Sequence, residues 1–356
     1  IPTIELLVKD HPGVPHYFAS LSDSYHALGR TLAGLGQLNE AVNAYHKAIA
    51  VREQLVEDQP AMPEYQESLI LLYVMIGSTM RQLGDKDEAI GFLSKAINAG
   101  QILVQDHPGV PGYAKALGGA YMSIGIAFHG SGQLVEAIDQ YNKAILVITK
   151  LVKDHPDIPE YVSLLLKSNF NCGMALQGRR QFSDATRHYQ TSLQLVDSLQ
   201  TNGPFYQNQA RKTQQIIAQR LDVCRMAKRA LGDQDFVLAQ PPAMAARLLY
   251  LKGQVQLDEK KHAAAVKTAN RSAELQFPDD QKPALARNFY STACLLSLAS
   301  DAVTRDGSLT TVDRKTLEVQ YAARAMELLM KAHETGWFDD AANVIHLKKT
   351  DTDLDP

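Results

Sequence analysis

Apolar residues recur at helical spacing through most of the chain. In one stretch Leu69, Leu72, Tyr73, Ile76 and Met80 lie three or four apart, and after Gly84-Asp85 the pattern resumes with Ala89, Leu93, Ala96, Ile97 and Leu103. Pro63 suits the first turn of a helix, where a missing N–H is harmless. Asp106-His107-Pro108 ends the second run, because proline cannot continue a helix and restrains the residue before it. The unit is therefore a pair of helices of about 20 residues, each about 30 Å long. The short turn between them forces antiparallel packing.

This unit repeats. Pro12, Pro60, Pro108, Pro156 and Pro204 recur every 48 residues, within KDHPGVPHY, EDQPAMPEY, QDHPGVPGY and KDHPDIPEY in the first four copies. Such a period marks a solenoid whose units bury their apolar faces against neighbours. Small residues keep the same phase: Gly29, Gly77, Gly125 and Gly173, then Ala41, Ala89, Ala137 and Ala185 twelve residues later. Tyr45, Leu93, Tyr141 and Tyr189 follow four further on, and Ala48, Ala96, Ala144 and Ser192 three after that. A mid-helix glycine costs up to about 1 kcal/mol relative to alanine. Its recurrence at one phase predicts a close helix–helix approach.

Gly, then Ala, then an aromatic, then Ala at these intervals resembles the tetratricopeptide repeat, with Tyr25, Tyr73 and Tyr121 at that motif's first aromatic. The likeness covers Leu7 to about Leu199. The family's usual unit is about 34 residues; here both helices are longer and a DHPxxP turn is added. The expected fold is all-α, a tetratricopeptide-like solenoid of helical hairpins wound as a right-handed superhelix. Residues 1–203 hold four long hairpins and the end of a preceding repeat, and 204–232 form a connecting helix. Residues 241–279 form a shorter hairpin, in which Gly253, Ala265, Ala269 and Ser272 repeat the spacing. Residues 280–356 hold a last helix pair and a tail.

That tail resembles the C-terminal region of large bacterial serine/threonine kinases of the planctomycete kind. The resembling elements are Asn288 to Cys294, Ala325 to Ala332, Gly336-Trp337-Phe338-Asp339-Asp340, and the run from His346 to Pro356. The resemblance implies a kinase domain upstream, often with a membrane segment. Ile4 to Pro12 also aligns with Arg52 to Pro60, so the first residues read as the second half of a hairpin, and the chain as a fragment of a longer protein.

The residues present argue against catalysis. Asp235-Phe236 is followed by Val237, not by the glycine of a kinase metal-binding triplet. Gly34-Leu35-Gly36 and Gly130-Ser131-Gly132 lack the Lys-Ser/Thr pair of a phosphate loop and read as turns. His11, His107 and His155 occur once per repeat, which suits helix ends better than a metal site. Cys172, Cys224 and Cys294 lie far apart within helical patterns and read as buried reduced thiols in a cytoplasmic protein. Neither a cofactor nor a metal is expected. No apolar run is long enough to span a membrane. The apolar fraction of 45% suffices for a continuous core, and a net charge of −3 gives no global pull toward nucleic acid.

The tetratricopeptide resemblance places the first helix of each hairpin on a concave surface. The inward positions are then Asp23, His26 and Arg30; Val74, Ser78 and Arg81, with Leu71; Met122, Ile126 and His129; and Phe170, Met174 and Gln177, with Lys167. The lysine–asparagine–arginine set with which some family members grip a C-terminal carboxylate is not reproduced there. The apolar members have two readings: packing between neighbouring first helices, or a groove for a peptide or partner helix. The expected function is a protein-interaction scaffold, with protein or peptide partners, serving as the docking or sensing arm of a kinase. The alternative is a regulatory module whose helix 205–231 contacts nucleic acid or acidic partners. Its Arg211, Lys212, Arg220, Arg225, Lys228 and Arg229 face a single acid, Asp222.

Overall fold

The computed structural model describes the backbone of residues 1–199, 204–340 and 343, and the side chains of these apart from 204–210. Among the described residues every regular element is helical. The chain forms two units, Ile1–Cys224 and Arg225–Pro356.

The first unit opens with α1 (Pro2–Asp10), followed by α2 (Pro15–Gly34) and α3 (Leu38–Asp58), α4 (Pro63–Leu83) and α5 (Lys86–Asp106), α6 (Pro111–Gly130) and α7 (Leu134–Asp154), and α8 (Pro159–Gly178) and α9 (Phe182–Leu199). Helix α10 (Pro204–Gly232) begins in this unit. From α1 to α9 each helix packs on its successor, and the first helices α2, α4, α6 and α8 also touch in series. One apolar core runs through the hairpins, from Leu21 to Leu165. The first unit is thus an all-α solenoid of helical hairpins.

The local chemistry of each turn repeats. The N–H of His11, Gln59, His107 and His155 closes the preceding helix on the carbonyl of Leu7, Leu55, Leu103 and Leu151. The following proline opens a turn closed by the N–H of Val14, Met62, Val110 and Ile158, with bonds of 3.2, 3.0, 3.2 and 3.4 Å to the carbonyls of His11, Gln59, His107 and His155. The three histidines end helices and set their rings against Tyr17, Tyr113 and Tyr161 at 5.9, 5.8 and 6.2 Å. Where Gln59 replaces histidine, Arg52 lies over Tyr65 instead, 5.7 Å from its centroid.

Between the two helices of a hairpin the chain passes through the left-handed region at Gly36, Gly84, Gly132 and Arg180 (φ +78°, +98°, +80° and +59°). A bond from the next residue back to Leu32, Met80, Phe128 and Leu176 (2.9, 3.0, 2.9 and 2.9 Å) completes a Schellman end in each. Glycine adopts this conformation without the steric penalty of a Cβ, which is why Gly-x-Gly occurs here and why it is a turn.

In the second unit, α11 (Gln234–Leu238) precedes the short hairpin α12 (Pro242–Asp258) and α13 (His262–Ala273). The last pair is α14 (Lys282–Thr304) and α15 (Thr311–Glu334). Lys260, at φ +59°, takes the left-handed place in the α12–α13 turn. Buried Ser272 and Asn288 join α13 to α14 through two 2.7 Å bonds. In the Gly336 to Asp340 turn, Trp337 stacks on Tyr290 with centroids 5.1 Å apart.

Candidate functional site

The platform is set by the repeated small residues. A Cβ on Gly29, Gly77, Gly125 or Gly173 would lie 2.7, 2.8, 2.6 or 2.8 Å from Tyr45, Leu93, Tyr141 or Tyr189. Each of these partners is buried on the second helix of the same hairpin. Overpacking costs about 1–3 kcal/mol, which exceeds the penalty of about 1 kcal/mol for a mid-helix glycine, so glycine is the better residue. Ala41, Ala89, Ala137 and Ala185 are fully buried at the same crossing.

Successive hairpins are tied by a contact that the 48-residue phase did not single out. The Tyr25 hydroxyl bonds the Glu5 carboxylate, the Tyr73 hydroxyl donates to Glu53 Oε1 at 2.6 Å, and Gln101 Nε2 donates to Tyr121 Oη at 2.8 Å. In each case the partner lies 20 residues earlier, on the preceding second helix. That constant interval was the available signal. The Glu5 bond, with burial and the negative charge, pushes the Tyr25 hydroxyl up to about 12. Since Glu5 is on α1, this helix stands to α2 as α3 stands to α4.

The twelve expected groove positions lie on α2, α4, α6 and α8, and none is fully buried. Val74 and Met122 pack against the main core while keeping part of their surface open. Ile126, Phe170 and Met174 are likewise half-buried, and the Phe170 ring lies 5.8 Å from that of Tyr189. Gln177 Oε1 accepts from the Tyr189 hydroxyl at 2.8 Å. Ser78 and Arg81 are half-buried and Arg30 is exposed. Burial holds His26 below the ordinary imidazole value, and nearby Arg30 acts the same way; burial alone does so for His129.

Asp23 has a structural partner. Arg52, buried on α3, bonds the Asp23 carboxylate and donates from Nε to Ser22 Oγ at 3.2 Å. Ser22 Oγ in turn donates to the Ala48 carbonyl at 2.9 Å. Leaving such a guanidinium unpaired would be strongly destabilising, so Asp23 neutralises a buried charge within the first hairpin.

A Cys–His–Asn set also appears in the fourth hairpin. Asn169 Nδ2 donates to the Leu165 carbonyl at 3.0 Å, which turns its Oδ1 toward His188 Nδ1, also at 3.0 Å. His188 therefore carries its proton on Nδ1, and its Nε2 lies 3.7 Å from Cys172 Sγ, whose S–H donates to Asn142 Oδ1, also at 3.7 Å. These are the residue types of a thiol hydrolase, but burial pushes the Cys172 thiol up to about 12 and holds His188 below its usual value. The sulfur stays a thiol, without the thiolate that nucleophilic catalysis requires. Cys224 is buried too, whereas Cys294 is partly exposed.

On α10 the basic residues do not form one stripe. At about 100° per residue, Arg211 and Arg220 point to opposite sides. Arg229 reaches Asp233 at 3.5 Å and lies over Phe236, 4.1 Å from its centroid. Among the described residues no helix is long and apolar enough to cross a membrane, and no three His, Cys, Asp or Glu side chains are grouped to hold a metal ion. The tail run from His346 to Pro356 lies outside the described residues.

No curated protein matches the chain. Among solved structures, BtubC (BKLC) from P. vanneervenii aligns with 13% identity over 84% of this chain and 90% of its own, with a TM-score of 0.36. The apo form of RapI aligns with 12% identity over 88% and 99%, with a TM-score of 0.44. A tetratricopeptide repeat protein from Parabacteroides merdae aligns with 12% identity over 86% and 99%, with a TM-score of 0.33. Sequence profiles of the tetratricopeptide repeat match residues 21–61 and 70–99, so repeats of this kind are present in the first two long hairpins.

Proposed function

We propose that the chain is a protein-interaction scaffold whose first helices α2, α4, α6 and α8 dock a peptide or a partner helix. The tetratricopeptide repeats support protein partners. The location rests on one observation: Val74, Met122, Ile126, Phe170 and Met174 are half-buried, keeping open surface on successive first helices. Flexible Met side chains adapt to varied apolar partners, and an amphipathic segment lays its apolar face into such a row. Arg30 and Arg81 border the row and would meet carboxylates on the segment. The expected affinity is micromolar, about −8 kcal/mol.

Selection of peptides from a displayed library on the wild-type chain tests the reading. Selected peptides should lose about tenfold or more in affinity on Ile126→Asp and on Phe170→Asp, each checked for unchanged helicity. Equal binding to both variants would move the site elsewhere. We further propose, from the tail resemblance alone, that the scaffold is the docking or sensing arm of a serine/threonine kinase. An in-frame kinase domain upstream of Ile1 in the parent gene supports it, and a start codon at or just before Ile1 refutes it.

A further inference from the structure

The α12–α13 hairpin holds a cleft of about 200 Å³ that the scaffold reading does not use. Three cations line it: Lys252 from α12, and Lys267 and Arg271 from α13. No carboxylate is among the described residues that line it. Its polar groups are also turned to donate. The Thr268 hydroxyl donates to Gln256 Oε1 at 2.8 Å, which leaves the Gln256 amide nitrogen to offer. The Gln234 amide oxygen, in the orientation that satisfies both groups, accepts from Arg271 at 2.7 and 3.0 Å, so Gln234 likewise offers its nitrogen. Buried Leu249 forms an apolar part of the wall.

We infer that this cleft binds a phosphoryl dianion, as inorganic phosphate or as a small phosphate monoester. Three positive charges with no carboxylate among the lining residues suit a ligand with two negative charges better than one with a single charge. Arg271, whose Nε and one Nη donate to Gln234, has its remaining guanidinium N–H groups for such oxygens, and the two lysines act as point charges. At about 30 Å³ per water, the cleft has room for such a group with part of its hydration.

The test is calorimetric titration of the full chain, at constant ionic strength, with inorganic phosphate, O-phosphoserine and acetate in parallel. Saturable phosphate binding is expected, weakened about tenfold or more by Lys267→Ala, with acetate weaker than phosphate. Lys267 is exposed, so its substitution should leave the helical circular dichroism unchanged. Lys252→Met serves as a second variant with the same expected loss. Tighter binding of O-phosphoserine would assign the ester and weaker binding the free ion. The absence of saturable phosphate binding, acetate matching phosphate, or full affinity in the Lys252→Met/Lys267→Ala double variant would overturn the proposal.

Discussion

Each long hairpin covers its mid-helix glycine from within, whereas the short hairpin borrows its cover. Gly29, Gly77, Gly125 and Gly173 meet Tyr45, Leu93, Tyr141 and Tyr189, sixteen residues on and always on the partner helix. Gly253 keeps the same phase, but the residue sixteen on is Ala269. The space goes instead to Leu295 on α14, whose Cδ2 would lie 2.2 Å from an added Cβ. The same spacing of small residues therefore supports two kinds of unit. A long hairpin carries its own knob and hole, while α12–α13 is complete only once α14 has packed. Since α12 touches both α13 and α14, the second unit is expected to unfold as one body.

The largest effect that could break this comparison is at Leu295. Leu295→Ala removes the side chain nearest the place above Gly253 and should cost about 2–5 kcal/mol. Hydrogen exchange should show protection falling in α12 and α13 as well as in α14; protection retained in α12 would show that the short hairpin stands alone. A smaller loss, about 1–3 kcal/mol, is expected for Ala137→Leu, which forces bulk into the fully buried crossing of a long hairpin. An unchanged melting temperature there would mean that the crossing is looser than its burial implies.

Acid should weaken the long hairpins next. Burial lowers His26, His129 and His188 from their ordinary value of 6.5. The unfolded chain thus binds protons at these sites before the folded one does. Their contribution is fully present above 6.5 and is lost as pH falls below it. Melting of the wild-type chain against a His188→Gln variant checks this: the variant should show a shallower acid slope, and identical slopes would remove His188 from the account. The smallest effect is a gain. Lys260 is exposed in the left-handed region, so Lys260→Gly relieves strain at some entropic cost in the unfolded chain. A net stabilisation of a few tenths to about 1 kcal/mol should appear in the melting of the short hairpin. A loss would show that the turn tolerates lysine without strain.

Much of the fold was legible because its signals are local. The Asp-His-Pro turns, the prolines opening α2, α4, α6 and α8, and the breaks at Gly36, Gly84 and Gly132 each act through the backbone of a few residues. The candidate site was legible only as positions on helix faces. That Asp23 is held by Arg52 depends on which side chains share a buried space, and 48-residue phasing does not show it, because Leu71 occupies the equivalent position one repeat on.

By itself the sequence determined the all-helical class, the hairpin phase and the close approach at the four long-hairpin glycines, since spacing along a helix fixes which residues share a face. Only the tertiary structure decided that Leu295 fills the place above Gly253, that Cys172, His188 and Asn169 are brought together, and that three cations from α12 and α13 open onto one cleft. Those outcomes join residues on different helices at unrepeated intervals. They depend on how the helices are rotated and displaced against one another, which local propensity and periodicity leave free.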